Sequence, residues 1–150
     1  KTAVIMANGF NGLGLHTLFS VIRLFGDVYK NYIFVEVGIF DAGNYKGVTE
    51  VDRLQAAVKA DVDRYISYMK KNGYYAEGFT SAGIDVVDEV SQLSEKILKK
   101  YPQAIFFGGQ LVFGKESFFA RWLHNYTVFA IQRKFYQQGT PVVILPIRVY

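Results

Sequence analysis

Residues 1–40 read KTAVIMANGF NGLGLHTLFS VIRLFGDVYK NYIFVEVGIF, and this stretch decides the fold. Thr2 to Ala7 is a short apolar run of the kind found in a strand buried on both faces. Asn8-Gly9-Phe10-Asn11-Gly12 turns the chain, and apolar residues recur at helical spacing from about Leu13 to Phe25, with Gly26 as a stop signal. A second strand follows from Tyr32 to Phe40. Strand, helix and strand in this order make a βαβ unit, whose crossover pairs the strands in parallel.

The same alternation continues to the end of the chain. Asp41 to Val48 is loop, and Thr49 with Asp52 resembles a capping box ahead of a one-faced helix carrying Val51, Leu54, Val58, Val62, Ile66 and Met69. Asn72-Gly73 ends it, and Tyr74 to Phe79 is a short third strand. Asp85 caps the next helix, which Pro102 stops. The fourth strand is Ala104 to Phe107, with an extension towards Val112. The last helix runs from Ser117 to about Gln138, Gly139 is its left-handed cap, and Val142 to Val149 is the fifth strand. Right-handed crossovers then give one α/β domain over residues 1–150, a doubly wound, five-stranded, mostly parallel sheet in order 3-2-1-4-5 within a flavodoxin-like three-layer sandwich. Pro146 is tolerated on an edge strand and fits the fifth strand's place at the end of the sheet.

Composition narrows the function classes. Hydrophobic types make up 51% of the 150 residues, enough for one core, and no uninterrupted apolar run is long enough to span a bilayer. The N-terminus lacks the layout of a signal peptide. The absence of cysteine removes thiolate nucleophiles, disulfides and zinc-thiolate sites. The net charge of +4 is scattered over Lys70-Lys71, Lys99-Lys100 and Arg133-Lys134, each at a helix end where cations complement the dipole. No nucleic-acid surface is expected from that pattern, although an anionic membrane surface is compatible with it. Aromatic residues, at 17%, exceed what the core requires.

In this fold a ligand sits beyond the carboxyl ends of strands one and four, where strand order reverses. Asn8, Gly9 and Gly12 lie at the first end and Gly108 and Gly109 at the second, making these five the candidate ligand-binding residues. Glycines there admit backbone amides to a phosphate, and a tight strand-to-helix turn needs them as well. The phosphate fingerprints fail. Gly9 and Gly14 have P-loop spacing but lead into Leu15 and His16, and the run from Gly12 to Thr17 lacks the third glycine of a dinucleotide motif. His16 and His124 have no metal-ligand partners at useful spacing, no serine sits in a nucleophile elbow, and Asp85, Asp88 and Glu89 read as a helix cap. No catalytic residue, metal or cofactor is expected. Glu36 interrupts a strand that should be covered on both faces; it is a structural ion pair, a position near the sheet rim, or a catalytic carboxylate, in that order of expectation.

Two helices are more apolar than one buried face demands. The first is apolar over more than half its circumference. The last has Phe118, Trp122, Phe129 and Tyr136 on one side and Ala120, Leu123, Ile131 and Phe135 towards the other, and periodicity does not say which side meets the sheet. The other stripe, beside an apolar edge strand carrying Val142 and Ile144, is expected to form a homodimer or docking interface: Trp122, Phe129, Tyr136, Val142 and Ile144.

The segments Asn8 to Leu18, Phe106 to Phe113, Leu123 to Thr127, Gln132 to Lys134 and Leu145 to Val149 resemble the soluble C-terminal cytoplasmic domain of bacterial amino acid, polyamine and organocation permeases. In fold the chain is also similar to universal stress proteins and to the cytoplasmic tails of cation-chloride cotransporters. The permease resemblance implies a non-catalytic regulatory, docking or dimerisation domain on the cytoplasmic face of the inner membrane, with the parent's transmembrane part as partner. The stress-protein resemblance implies, as the alternative, a nucleotide or small-ligand sensor. Universal stress proteins that hold ATP have an aspartate after strand one, where Asn8 stands here, and a spaced-glycine motif after strand four, whose second glycine is replaced by Leu111 or Val112.

Overall fold

The computed structural model describes residues 1–9, 11–41, 43, 47–113 and 118–149, with the side chains of 111–126 and 149 excepted. Strands β1 (Thr2–Met6), β2 (Asn31–Ile39), β3 (Tyr75–Gly83), β4 (Ile105–Phe113) and β5 (Val142–Val149) alternate with helices α1 (Gly12–Phe25), α2 (Val48–Lys71), α3 (Val86–Lys100) and α4 (Phe118–Gln137). The strands pair in order β3-β2-β1-β4-β5, and every pairing is parallel. The sheet is therefore wholly parallel rather than mostly so, because each connection is a helical crossover.

Strand alternation splits the interior into two cores. Ala3, Ile5, Phe34, Phe107 and Leu145 face α1 and α2, where Leu18, Val21, Val62, Tyr65 and Met69 cover them. Val4, Ile33, Val35 and Phe106 face α3 and α4, against Val90, Leu93, Ile97, Ile131 and Phe135. With β1 central and covered on both sides, four of its five residues are buried apolar or hydroxyl groups, as its unbroken apolar run requires. Gly38 and Gly78 let α2 lie close to the sheet, since a Cβ on either would collide with Leu54 or Val62.

Several boundaries differ from the sequence reading. β3 is longer than Tyr74 to Phe79 because nine of its residues pair with β2 through Ile39 and Gly83, so cross-strand bonds outweigh the low strand propensity of Ser81, Ala82 and Gly83. β4 continues to Phe113 for the same reason, pairing with β5 from Phe106 onwards. No Thr49 capping box forms: α2 begins after Gly47, whose φ of 108° carries the chain out of the loop without a side-chain cap. Asp85 does cap α3, accepting the Val87 and Asp88 amides, and Gly26 and Gly139 adopt the positive φ expected of helix ends. Among the described residues no helix is long and apolar enough to cross a membrane.

The core rings give a direct check. Phe107 is fully buried, with ring centroids 5.5 Å from Phe25 and 5.6 Å from Tyr29, whereas Leu24 is 59% exposed. Urea unfolding is expected to show Phe107→Ala losing about 3–5 kcal/mol and Leu24→Ala changing by no more than about 0.5 kcal/mol. Equal losses would contradict this packing.

Candidate functional site at the strand switch point

β1 ends at Met6, and the chain must turn sharply to enter α1. Gly9 makes that turn with φ 87°, a conformation other residues rarely adopt. Its N–H donates to Glu36 Oε1 and its C=O accepts the Tyr65 hydroxyl at 2.9 Å. Both backbone polar groups of this one residue are thus held by side chains from different elements. Tyr65 also engages the Asn11 amide, and its ring stacks on Phe34 at 4.9 Å and 12°. Gly14 is required beneath it, because a Cβ there would run into the Tyr65 hydroxyl. Burial pushes the Tyr65 phenol up to about 12, so it is a neutral donor throughout the physiological range.

Glu36 forms no cation pair among the described residues, and it stands on β2 one residue beyond the last pairing with β1, Met6 with Val35, towards the carboxyl end of the sheet. It is 2% exposed, points to the α2 side of β2, and its Oε2 is buried with no hydrogen-bond donor among the described residues. The neighbouring group is a second carboxyl, Asp61 on α2, half-buried. Two carboxylates offer each other only acceptors, so the contact becomes a hydrogen bond once Glu36 carries a proton. Desolvation first, and then the Asp61 hydrogen bond and charge, push the Glu36 pKa up to about 8 against the opposing pull of the Gly9 N–H. Sequence reading missed Asp61 and Tyr65 as partners. The signal was present: Leu54, Val58, Asp61, Tyr65 and Met69 recur at three- and four-residue steps, placing a carboxylate within a buried helical stripe.

The α1 N-terminus carries a side-chain cap. Asn11 Oδ1 accepts the Gly14 amide at 3.1 Å, and Asn11 Nδ2 donates to the Asn8 carbonyl at 2.6 Å. Of the five glycine and asparagine candidates, Asn8, Gly108 and Gly109 border one cavity of about 360 Å³ at the carboxyl ends of β1 and β4, while Gly9 and Gly12 are not in its wall. The two β4 glycines serve packing: a Cβ on Gly108 would strike Val128 of α4, and one on Gly109 would strike Thr17 and Leu13 of α1. The cavity wall is otherwise mostly aliphatic, including Met6, Val35, Val37, Val90 and Ile131, with Thr127 and Asn8 as its polar points. Among the described residues no cationic side chain lines it.

α4 resolves the choice between its two stripes. Ile131 and Phe135 are buried against the sheet, while Phe129 is 42% and Tyr136 84% exposed. Phe129, Tyr136 and Val142 meet in one groove of about 570 Å³, joined by Arg133 and Pro141 at the β5 edge. Ile144 is half-buried on β5, and the Trp122 side chain lies outside the described residues. Asp85, Asp88 and Glu89 do not form a site: Asp85 caps α3, Asp88 pairs with Lys134 at 3.0 Å, and Glu89 accepts from Ser81 at 2.9 Å.

The fold has counterparts among solved structures. A universal stress protein family member from Burkholderia pseudomallei matches over 97% of this chain and 96% of its own, at 15% identity and a TM-score of 0.62. The hypothetical protein MJ0577, studied as a structure-based assignment of biochemical function, matches over 100% of this chain and 98% of its own, at 17% identity and a TM-score of 0.64. No protein-family model matches the chain, and no curated protein does. The fold is that of the universal stress proteins; the permease resemblance rests on the sequence motifs alone.

Glu36 makes stability depend on pH with a definite sign. Its pKa rises from 4.5 to about 8 on folding, so the folded chain holds a proton that the unfolded chain releases across that interval. Stability is full below the lower value and falls as pH rises, by at most about 1.4 kcal/mol per pH unit, until the upper value is passed. Glu36→Gln keeps an acceptor for Gly9 and offers Asp61 a donor. Its unfolding free energy is expected to fall less than that of the unaltered chain between these limits. Parallel profiles from chemical denaturation would refute the assignment.

Proposed function

We propose that the chain is a non-catalytic ligand-binding module whose switch-point cavity takes an uncharged, largely apolar small molecule. The observation carrying this reading is the cavity between β1, β4 and the helices above them, lined among the described residues by mostly aliphatic side chains and by no cation. Its volume falls in the lower part of the range for small-molecule sites, about 300–1,000 Å³. Asn8 and Thr127 supply polar points that fix orientation. A nucleotide is a poor match, because a phosphate needs donors or positive charge. Here the Gly9 amide is bound to Glu36 and the Gly14 amide to Asn11. The departures at Asn8, Leu111 and Val112 from the ATP-holding stress-protein pattern agree with this.

A second role, dimerisation or docking, is favoured by a separate observation. Phe129, Tyr136 and Val142 share an open groove beside the outer edge of β5, which pairs with no further strand among the described residues. The motif resemblance to permease tails supports placing such a module on a transporter's cytoplasmic side. Sequence upstream of Lys1 tests that placement, the expected finding being about twelve hydrophobic spans.

Thermal unfolding separates the ligand classes. Millimolar ATP is expected to leave the melting temperature unchanged, whereas indole at about ten times its dissociation constant adds about 1.4 kcal/mol, or roughly 3–5 °C. Val37→Phe, which fills the cavity, is expected to remove the indole shift. A shift with ATP and none with indole would restore the nucleotide reading. Sedimentation at micromolar concentration tests the second role: a dimer for the unaltered chain and monomers for Ile144→Lys and Tyr136→Glu are expected. A monomer throughout would exclude self-association through this edge.

A further inference from the structure

We propose that Glu36 and Asp61 form a proton-operated latch that fastens α2 to the β1–α1 turn. The geometry has three parts. Glu36 reaches from β2, one residue past its last pairing with β1, to the Gly9 amide, and its second oxygen is buried without a donor among the described residues. Asp61 sits beside that carboxyl on α2. Tyr65, one helical turn beyond Asp61, grips the same turn through the Gly9 carbonyl and the Asn11 amide. One proton therefore bridges β2 to α2 at the place where α2 holds the turn.

The surrounding groups leave the proton as the species that binds there. From α2 the titratable groups facing Glu36 are Asp61 and Tyr65; from β3 the residue in register is uncharged Thr80; the turn contributes Gly9. Among the described residues no third carboxylate, histidine or cysteine completes a metal site, and the Gly9 carbonyl is already bound to Tyr65. Loss of the proton leaves a second negative charge beside Asp61, and neighbouring like charges repel strongly in a low-dielectric setting. The Gly9 N–H holds Glu36 in place, more firmly once the carboxyl is ionised. Asp61 is then the group that yields, and with it the helical turn that carries Tyr65. Release thus loosens the Tyr65 side of the turn while the Glu36 side tightens.

The asymmetry gives the test, read on the turn itself with no ligand present, so its failure leaves the cavity reading intact. In the 150-residue chain, the carboxyl carbon-13 shift reports the ionisation of Glu36, and the amide proton shifts of Gly9 and Asn11 report the two grips. The expected result is a Glu36 midpoint above about pH 6.5. At that same midpoint the Gly9 amide moves downfield and the Asn11 amide upfield. Asp61→Asn, which removes the like charge and can donate to Glu36, is expected to weaken proton affinity at least about tenfold. Glu36→Gln is expected to abolish both amide inflections. A Glu36 midpoint below about pH 6, or an Asn11 amide that does not follow Glu36, would overturn the latch. The titration of the unaltered chain decides the matter even if a variant fails to fold.

Discussion

The backbone of Gly9 is held on both sides, its N–H by Glu36 and its carbonyl by Tyr65, and the switch point is organised around that grip. The constraint begins with topology. β1 is the central strand, its neighbours β2 and β4 diverge into helices on opposite faces, and the crevice between those connections exposes the first turn after β1. Backbone amides there must find acceptors. In a phosphate-binding protein the ligand supplies them; here a carboxyl from β2 does. The absence of a side chain at Gly14, the stacking of Tyr65 on Phe34 and the helical spacing of Asp61 and Tyr65 all serve to bring α2 close enough for the second grip.

The two faces of the sheet consequently differ in chemistry. On the α1 and α2 side the space near the switch point is filled by a polar cluster, and burying its carboxyl is tolerable because a proton removes the charge. The neighbouring cavity is lined largely from the α3 and α4 side, by valines, Met6 and Ile131, and reaches Leu13 and Gly14 of α1. Consecutive glycines on β4 assist on both sides, Gly108 accommodating Val128 and Gly109 accommodating Thr17 and Leu13. A fold suited to anions thus carries an internal acceptor on one side and an apolar cavity on the other. Farther out, α4 commits Ile131 and Phe135 to the core and leaves Phe129 and Tyr136 beside the β5 edge.

Most of the fold was legible in the sequence because parallel strands and one-faced helices have distinct periods. The apolar runs at Thr2 and Tyr32, the Asp85 cap and the stops at Gly26 and Gly139 all have local causes, and the strand order follows from crossover handedness. Strand ends were less legible: β3 is extended by pairing with β2, a non-local effect that composition around Ser81 argues against. The site was half visible. Asn8, Gly108 and Gly109 do border the cavity, yet their glycines answer to packing from α1 and α4, which no local pattern reveals. Glu36 stood out as a charge in a buried strand, but its partner was sought among cations. A buried carboxyl held by a backbone amide and placed beside a second carboxyl is a tertiary arrangement, visible in sequence only as an aspartate within an apolar helical stripe.

The measurement that bears most directly on the internal acceptor is a through-hydrogen-bond scalar coupling between the Gly9 amide nitrogen and the Glu36 carboxyl carbon at neutral pH. A resolved coupling, together with a Glu36 carboxyl shift typical of the protonated form, is the expected result. No coupling, with a Glu36 shift typical of a free carboxylate, would mean that the Gly9 amide is available to a ligand and that the switch point is an ordinary anion cradle.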